Sequence, residues 1–137
     1  MSQTASAPRL LRASLVANAL FSGSSGVLML LTGPTLADWL GTDAPWALQL
    51  LGVGLILYAL WLILSVQDSP LDRRNVRTAI AMDLVWVVGS VLLLITNWVS
   101  LTTEGQWAVA IVADLVAAFA VVQSYALRRL PQREVAR

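Results

Sequence analysis

Two aspartates, Asp83 and Asp114, are the side chains with the clearest potential for chemistry, because each lies inside a long apolar stretch. A carboxyl group in lipid is costly, so it usually pairs with another polar group or marks a path for ions or protons. Asp114 lies fourteen residues before Arg128 and seven after Trp107, far from any basic residue. We expect Asp114 to act as a neutral acid, either hydrogen-bonded within a layer of small residues or serving as a proton or ligand site. The layer at its depth comprises Ser24, Ser25, Gly52, Gly54, Gly89 and Ser90.

Asp83 is shallower than Asp114. It lies six residues beyond Arg77, or about 9 Å at the rise of an α-helix. The side chain of Arg12, Arg77 or Arg128 could extend to a carboxylate at that depth. Asn18 is expected at the same depth and could donate a hydrogen bond to it.

Further polar residues accompany the aspartates at helical spacing. Those that share a face of the first or the third apolar stretch are Asn18, Ser22, Ser25, Thr32, Asp83, Ser90 and Asn97. Lipid cannot satisfy such groups, so both polar faces should turn toward protein. They could fix helix packing alone, or they could line a functional groove. The candidate ligand- or proton-binding residues are therefore Asp114, Asp83, Asn18, Ser25 and Ser90, whereas Tyr58 is interpreted as a packing residue.

Composition excludes several classes of chemistry. The sequence contains no Cys, His or Lys, which excludes a disulfide framework, a Cys/His zinc site, a His-ligated haem and a lysine Schiff base. No nucleophile–base pair, phosphate-binding loop or dinucleotide motif is present. We expect no enzymatic activity, no cofactor and no metal. A net charge of +1 gives no reason to expect nucleic acid as a partner.

Four apolar stretches must position the candidate residues. They cover 13–31, 46–66, 78–98 and 107–127, and each is close to the ~20 residues that a helix needs to cross ~30 Å of hydrocarbon. The chain of 137 residues is 58% hydrophobic and 12% charged, against roughly 45–50% and about 25% in soluble domains. The sequence predicts an all-α integral membrane protein, with residues 1–137 forming a single domain built on a four-transmembrane-helix bundle. A short interfacial helix is expected at about 35–41.

The arginines predict the orientation. All nine lie in the two tails or the central loop, and the other two loops contain none. By the positive-inside rule, both termini should be cytoplasmic. Tryptophans cluster at the opposite side, as in an aromatic belt, and these are Trp39, Trp46, Trp98 and Trp107. We expect a multi-pass membrane protein.

The two halves of the sequence resemble each other. An offset of 65 residues aligns the first span with the third and Asn18 with Asp83, and an offset of 61 aligns Tyr58 with Phe119. A repeated two-span unit keeps its orientation, so the repeats would be parallel. The similarity fits a true duplication of a helix pair or generic matching of apolar residues.

Three segments carry a resemblance to known proteins. The runs LLRASLVANALFSGSSGVLMLL, GPTLADWLG and AIAMDLVWVVGSVLLLI resemble an uncharacterised family of small bacterial four-transmembrane-helix proteins. The resemblance covers nearly the whole chain and implies fold and bacterial origin, so we expect the protein in a bacterial inner (plasma) membrane. The layout is also similar to that of the small multidrug resistance transporters, which depend on a Glu in the first span. Here Asn18 lies in that span, so the similarity does not extend to drug–proton exchange.

Two functions follow as hypotheses. The first is a binding or accessory module that packs with itself as a homo-oligomer, with a partner membrane protein or with a hydrophobic small molecule, in contact with membrane lipids. The alternative is a small proton-linked transporter or channel centred on Asp114.

Overall fold

Four long helices and one short helix form the structure, a computed structural model that describes residues 3–68 and 70–130. The helices are α1 (Gln3–Leu31), α2 (Gly33–Leu40), α3 (Pro45–Val66), α4 (Arg73–Thr96) and α5 (Thr103–Arg128). The four long helices are long and apolar enough to cross a membrane. The shortest, α3, has 22 residues, or about 33 Å at helical rise. The all-helical fold with four spanning helices is confirmed.

The helix ends differ from the predicted spans mainly where charged residues extend a helix beyond its apolar part. α1 begins at Gln3, well before residue 13, and its additional turns bury Ala7 and Leu11. α4 begins at Arg73, after Asp72 accepts a hydrogen bond from the backbone N–H of Arg74 at 2.9 Å. A cap therefore sets the start of α4, and buried residues accompany the longer α1, so apolarity alone locates neither end.

The bundle has two chemically distinct ends. The arginine end is defined by Arg9, Arg12, Arg73, Arg74, Arg77, Arg128 and Arg129, and the tryptophan end by Trp39, Trp46, Trp98 and Trp107. The sequence also assigned Arg133 and Arg137 to the first group, and both lie outside the described residues. α2 is located at the tryptophan end, where it contacts α1, α3 and α5.

The interior is densely packed near the arginine end and polar at middle depth. At the arginine end, buried apolar side chains from α1, α3, α4 and α5 form one cluster, which includes Leu11, Leu15, Leu62, Val76 and Leu127. Large apolar side chains such as Leu31, Val85 and Ile95 are instead exposed on the outside. This arrangement suits a lipid solvent, in which the surface is as apolar as the core.

α1 packs closely on α3 through glycine. A Cβ atom added to Gly52 would lie 2.6 Å from the carbonyl oxygen of Gly26, and one added to Gly26 would lie 2.6 Å from the carbonyl oxygen of Gly52. Gly23 faces Ala59 in the same contact. Small residues let the two backbones approach within van der Waals distance, which is a frequent way of joining helices in membranes.

Two arginines cap helix ends across the bundle. Arg12 of α1 donates hydrogen bonds to the carbonyl oxygens of Val66 and, at 2.8 Å, Asp68, at the end of α3. Arg73 of α4 donates to the carbonyl oxygens of Leu127 and Leu130, at the end of α5. The last carbonyls of a helix lack partners within the helix and carry partial negative charge, so a guanidinium group is a suitable cap.

Replacing Arg12 with alanine is expected to lower the free energy of unfolding by about 1 kcal/mol, because partly exposed charge-assisted hydrogen bonds contribute less than buried ones. Arg9→Ala is the matched control, since Arg9 is exposed on the same helix. Both variants remove one positive charge from the same end. Equal thermal unfolding midpoints of the two variants in detergent would contradict the capping role of Arg12.

Candidate functional site

Asp83 is the centre of a buried hydrogen-bond network that joins three helices. Asn18 Nδ2 of α1 donates to Asp83 Oδ2 at 2.8 Å, and Tyr58 Oη of α3 lies 3.0 Å from Asp83 Oδ1. The Asp83 side chain is only 3% exposed. The hydrogen bond expected from Asn18 to Asp83 is therefore present, and Tyr58 adds a second one.

The network extends in two directions. Ser22, one turn beyond Asn18 on α1, donates to Asn18 Oδ1 at 3.2 Å. Tyr58 Oη also lies 3.2 Å from the carbonyl oxygen of Ala79 on α4. A phenol has one proton, so Tyr58 donates either to Asp83 or to Ala79 at a given moment. The Tyr58 hydroxyl connects α3 to α4 in both cases.

The arginines expected near Asp83 are engaged elsewhere or exposed. Arg12 caps α3, and the side chains of Arg77 and Arg128 are exposed. Within the described residues no arginine pairs with Asp83, so neutral donors alone compensate this carboxyl group.

A cavity of about 270 Å³ lies above the network, on its tryptophan-end side. Its polar lining consists of Asn18, Ser22, Ser25, Tyr58 and Asp83. Its apolar lining consists of Phe21, Met29, Leu51, Gly54, Leu55, Met82, Trp86, Val112 and Val116. All four long helices contribute, so the cavity is at the centre of the bundle, with the Asp83 network as its floor. We call it the central cavity.

The central cavity opens sideways between α3 and α4. α1 packs along α3 and α5, and α4 packs along α5, whereas α3 and α4 are not closely packed along their length. Leu51 and Met82 line the cavity and are also 40% and 51% exposed. Gly54, between these two in depth, is exposed as well. A small molecule could therefore enter from the side of the bundle.

One donor in the cavity wall has no partner. The Trp86 indole Nε1 is buried and makes no hydrogen bond within the described residues. An indole N–H usually finds an acceptor when it is buried. Trp86 thus carries a buried donor without a partner among the described residues, on α4 and one helical turn from Asp83.

Ser25 and Ser90, the two serines that the sequence proposed as site residues, have different surroundings. Ser25 lines the central cavity. The Ser90 hydroxyl is oriented back along its own helix and donates to the carbonyl oxygen of Trp86 at 2.8 Å. The small-residue layer is also divided, because Gly52 is in the contact between α1 and α3, whereas Gly89 is exposed beside open space.

Asp114 lies outside the site. Ala113, Val116, Ala120 and Gln123 form the buried face of α5, and successive residues are separated by about 100° around a helix. The Asp114 side chain is therefore turned outward and exposed. It makes no hydrogen bond with the described residues and lines neither the central cavity nor a second groove of about 640 Å³ on the outside of α1 and α3.

The sequence predicts only a packing role for Tyr58, but its hydroxyl also belongs to the hydrogen-bond network. It shares a helix face with Gly54 and stacks on Trp61, with ring centroids 6.0 Å apart, so its ring does have the expected packing role. Its hydroxyl, however, reaches two acceptors on α4, the carboxyl group of Asp83 and the carbonyl oxygen of Ala79. The sequence did contain one indication of this contact. Tyr58 and Asp83 lie at similar depths when both are counted from the arginine end.

Comparison of the chain with protein-family models, curated proteins and solved structures gives no match in any of the three. The resemblance to small bacterial four-span proteins therefore stays a prediction from the sequence. The described residues also contain no group of three or more Asp, Glu, His or Cys side chains that could hold a metal ion.

Proposed function

We propose that this protein binds a small, mostly apolar molecule in the central cavity, inside the membrane. The observation that carries the proposal is the combination of an apolar cavity with one buried polar floor, formed by Asp83, Asn18 and Tyr58. Ligand sites are usually apolar with a few convergent polar groups, which orient the ligand. The volume of about 270 Å³ is just below the roughly 300–1,000 Å³ of sites for drug-sized ligands, which favours a small ligand.

The lateral opening supports entry from the bilayer. Apolar molecules concentrate in the hydrocarbon, and the gap beside Leu51, Gly54 and Met82 faces outward between two spanning helices. The distribution of the arginines supports a multi-pass protein with cytoplasmic termini, and the resemblance to small bacterial four-span proteins supports a bacterial inner membrane. In that orientation, the polar floor lies on the cytoplasmic side of the cavity.

Filling the cavity should abolish binding. A Cβ atom added to Gly54 or to Gly89 would meet nothing within 4 Å, but only Gly54 lines the central cavity. Gly54→Leu should therefore occupy the cavity, whereas Gly89→Leu places the same side chain outside it. With 4-phenyl-1-butanol as probe, we expect saturation-transfer NMR to detect binding to wild type and Gly89→Leu in lipid nanodiscs. Binding to Gly54→Leu should fall at least about tenfold.

The three samples share one lipid composition, so partitioning of the probe into lipid is the same in each. Equal signals from wild type and both leucine variants would show that the probe does not use the central cavity, and the proposed function would fail. Both variants must first give one symmetrical peak in size-exclusion chromatography.

A further inference from the structure

The central cavity contains a carboxyl group without a cation. The described residues that line it include no basic side chain, and both hydrogen bonds to Asp83 come from neutral groups. Removing a charged carboxylate from water is costly unless another charge or several donors compensate it. Asp83 is therefore compensated only in part by the protein.

The geometry of Asp83 leaves room for another donor. A carboxylate has about four lone-pair positions. Asn18 uses one on Oδ2, and Tyr58 uses one on Oδ1 for the part of the time when it does not donate to Ala79. Asp83 is one of the residues that line the central cavity, so a ligand bound there would lie beside this carboxyl group.

Three aromatic side chains are among the residues that line the central cavity. Phe21, Tyr58 and Trp86 all line the central cavity, and they come from three different helices. The faces of aromatic rings attract cations within about 6 Å, most strongly where water is excluded. A carboxyl group and three aromatic side chains around the same space favour a positively charged group with an apolar body.

We propose that the central cavity selects small lipophilic amines in their ammonium form. The ammonium group would donate a charge-assisted hydrogen bond to Asp83, and the apolar body would lie among Phe21, Leu55 and Trp86. The inference rests on the proposed function and adds the ligand class. It also explains why the carboxyl group has neutral neighbours, since the ligand supplies the cation.

The test compares two probes of nearly the same shape, 4-phenylbutylamine and 4-phenyl-1-butanol. At neutral pH the alkylamine is protonated and the alcohol is uncharged. Dissociation constants are measured by calorimetry in nanodiscs of zwitterionic lipid, because anionic lipid would attract the amine by itself. Wild type should bind the amine at least about tenfold more tightly than the alcohol, as one charge-assisted hydrogen bond predicts.

Asp83→Asn is the decisive variant. Its amide oxygen can accept from Asn18, and its amide nitrogen can donate to the Tyr58 oxygen while Tyr58 donates to Ala79. The network is thus retained and the charge is lost. We expect this variant to bind both probes with equal affinity, at least about tenfold more weakly than the wild type binds the amine.

The outcomes separate the two proposals. If wild type binds both probes equally and Gly54→Leu loses both, the cavity binds ligands but the amine inference is wrong. A preference for the amine that survives in Asp83→Asn would also overturn the inference, because the charge would then be recognised elsewhere. If Gly54→Leu changes the binding of neither probe, both the inference and the proposed function fail.

Discussion

Replacing Asp83 with alanine is expected to lower the free energy of unfolding by about 2 kcal/mol, because the buried donors of Asn18 and Tyr58 lose their acceptor. Tyr58 can still donate to the carbonyl oxygen of Ala79, so the unsatisfied group is mainly the Asn18 amide. Titration of the folded protein with a denaturing detergent, followed by circular dichroism, measures the change.

Asp83→Asn is the control for this effect. It keeps an acceptor for Asn18 and a polar partner for Tyr58, so its free energy of unfolding should remain within about 1 kcal/mol of the wild-type value. A similar loss of stability in both variants would mean that the charge of Asp83, and not its hydrogen bonds, stabilises the contact between α1, α3 and α4.

Gly52→Ala is expected to destabilise the protein by about 2–3 kcal/mol, which is large for the addition of one methyl group. The new Cβ atom would lie 2.6 Å from the carbonyl oxygen of Gly26 and 3.0 Å from the backbone nitrogen of Leu30. Both are backbone atoms, so no side-chain rotation relieves the clash. α1 and α3 would have to move apart, and the thermal unfolding midpoint should fall.

Gly54→Ala is the matched control for Gly52→Ala. It lies two residues away on α3, and its added Cβ atom would meet nothing within 4 Å. Alanine favours a helix over glycine by up to about 1 kcal/mol, so this variant should unfold at the wild-type temperature or slightly above. An equal loss of stability in both variants would indicate that α3 tolerates no added methyl group in this region, and the specific contact at Gly52 would not be the cause.

The sequence predicts the helices well because a membrane allows few alternatives. Long apolar runs must form helices that satisfy their own backbone. Because lipid cannot satisfy polar groups either, Asn18 and Asp83 must face protein. Their similar depth makes the observed hydrogen bond between them predictable. Helix ends are less predictable, since the start of α1 depends on residues such as Ala7 and Leu11 that pack outside the apolar run.

The cavity could not be predicted from the sequence. It depends on how far apart α3 and α4 lie, and a distance between helices is a property of the whole bundle. The outward direction of the Asp114 side chain, in contrast, could have been predicted from the sequence. Gln123 lies on the opposite face of α5 and is fully buried, and the alanines of that helix mark the side where another helix packs closely. Asp114 was the leading candidate for a functional residue because of its depth alone. Its surroundings, however, depend on the face of α5 on which it lies.

The hydrogen bond between Asn18 and Asp83 joins positions 65 residues apart, which is the offset that aligns the first span with the third. If the halves descend from one duplicated helix pair, the ancestor was a pair of identical chains in which this position met its own copy. Two asparagines or two aspartates would then have faced each other, and two carboxylates so close cannot both ionise. An aspartate opposite an asparagine becomes possible only after the two copies have separate coding sequences and can diverge. A single, partly compensated acid at the floor of the cavity would thus be a product of duplication followed by divergence.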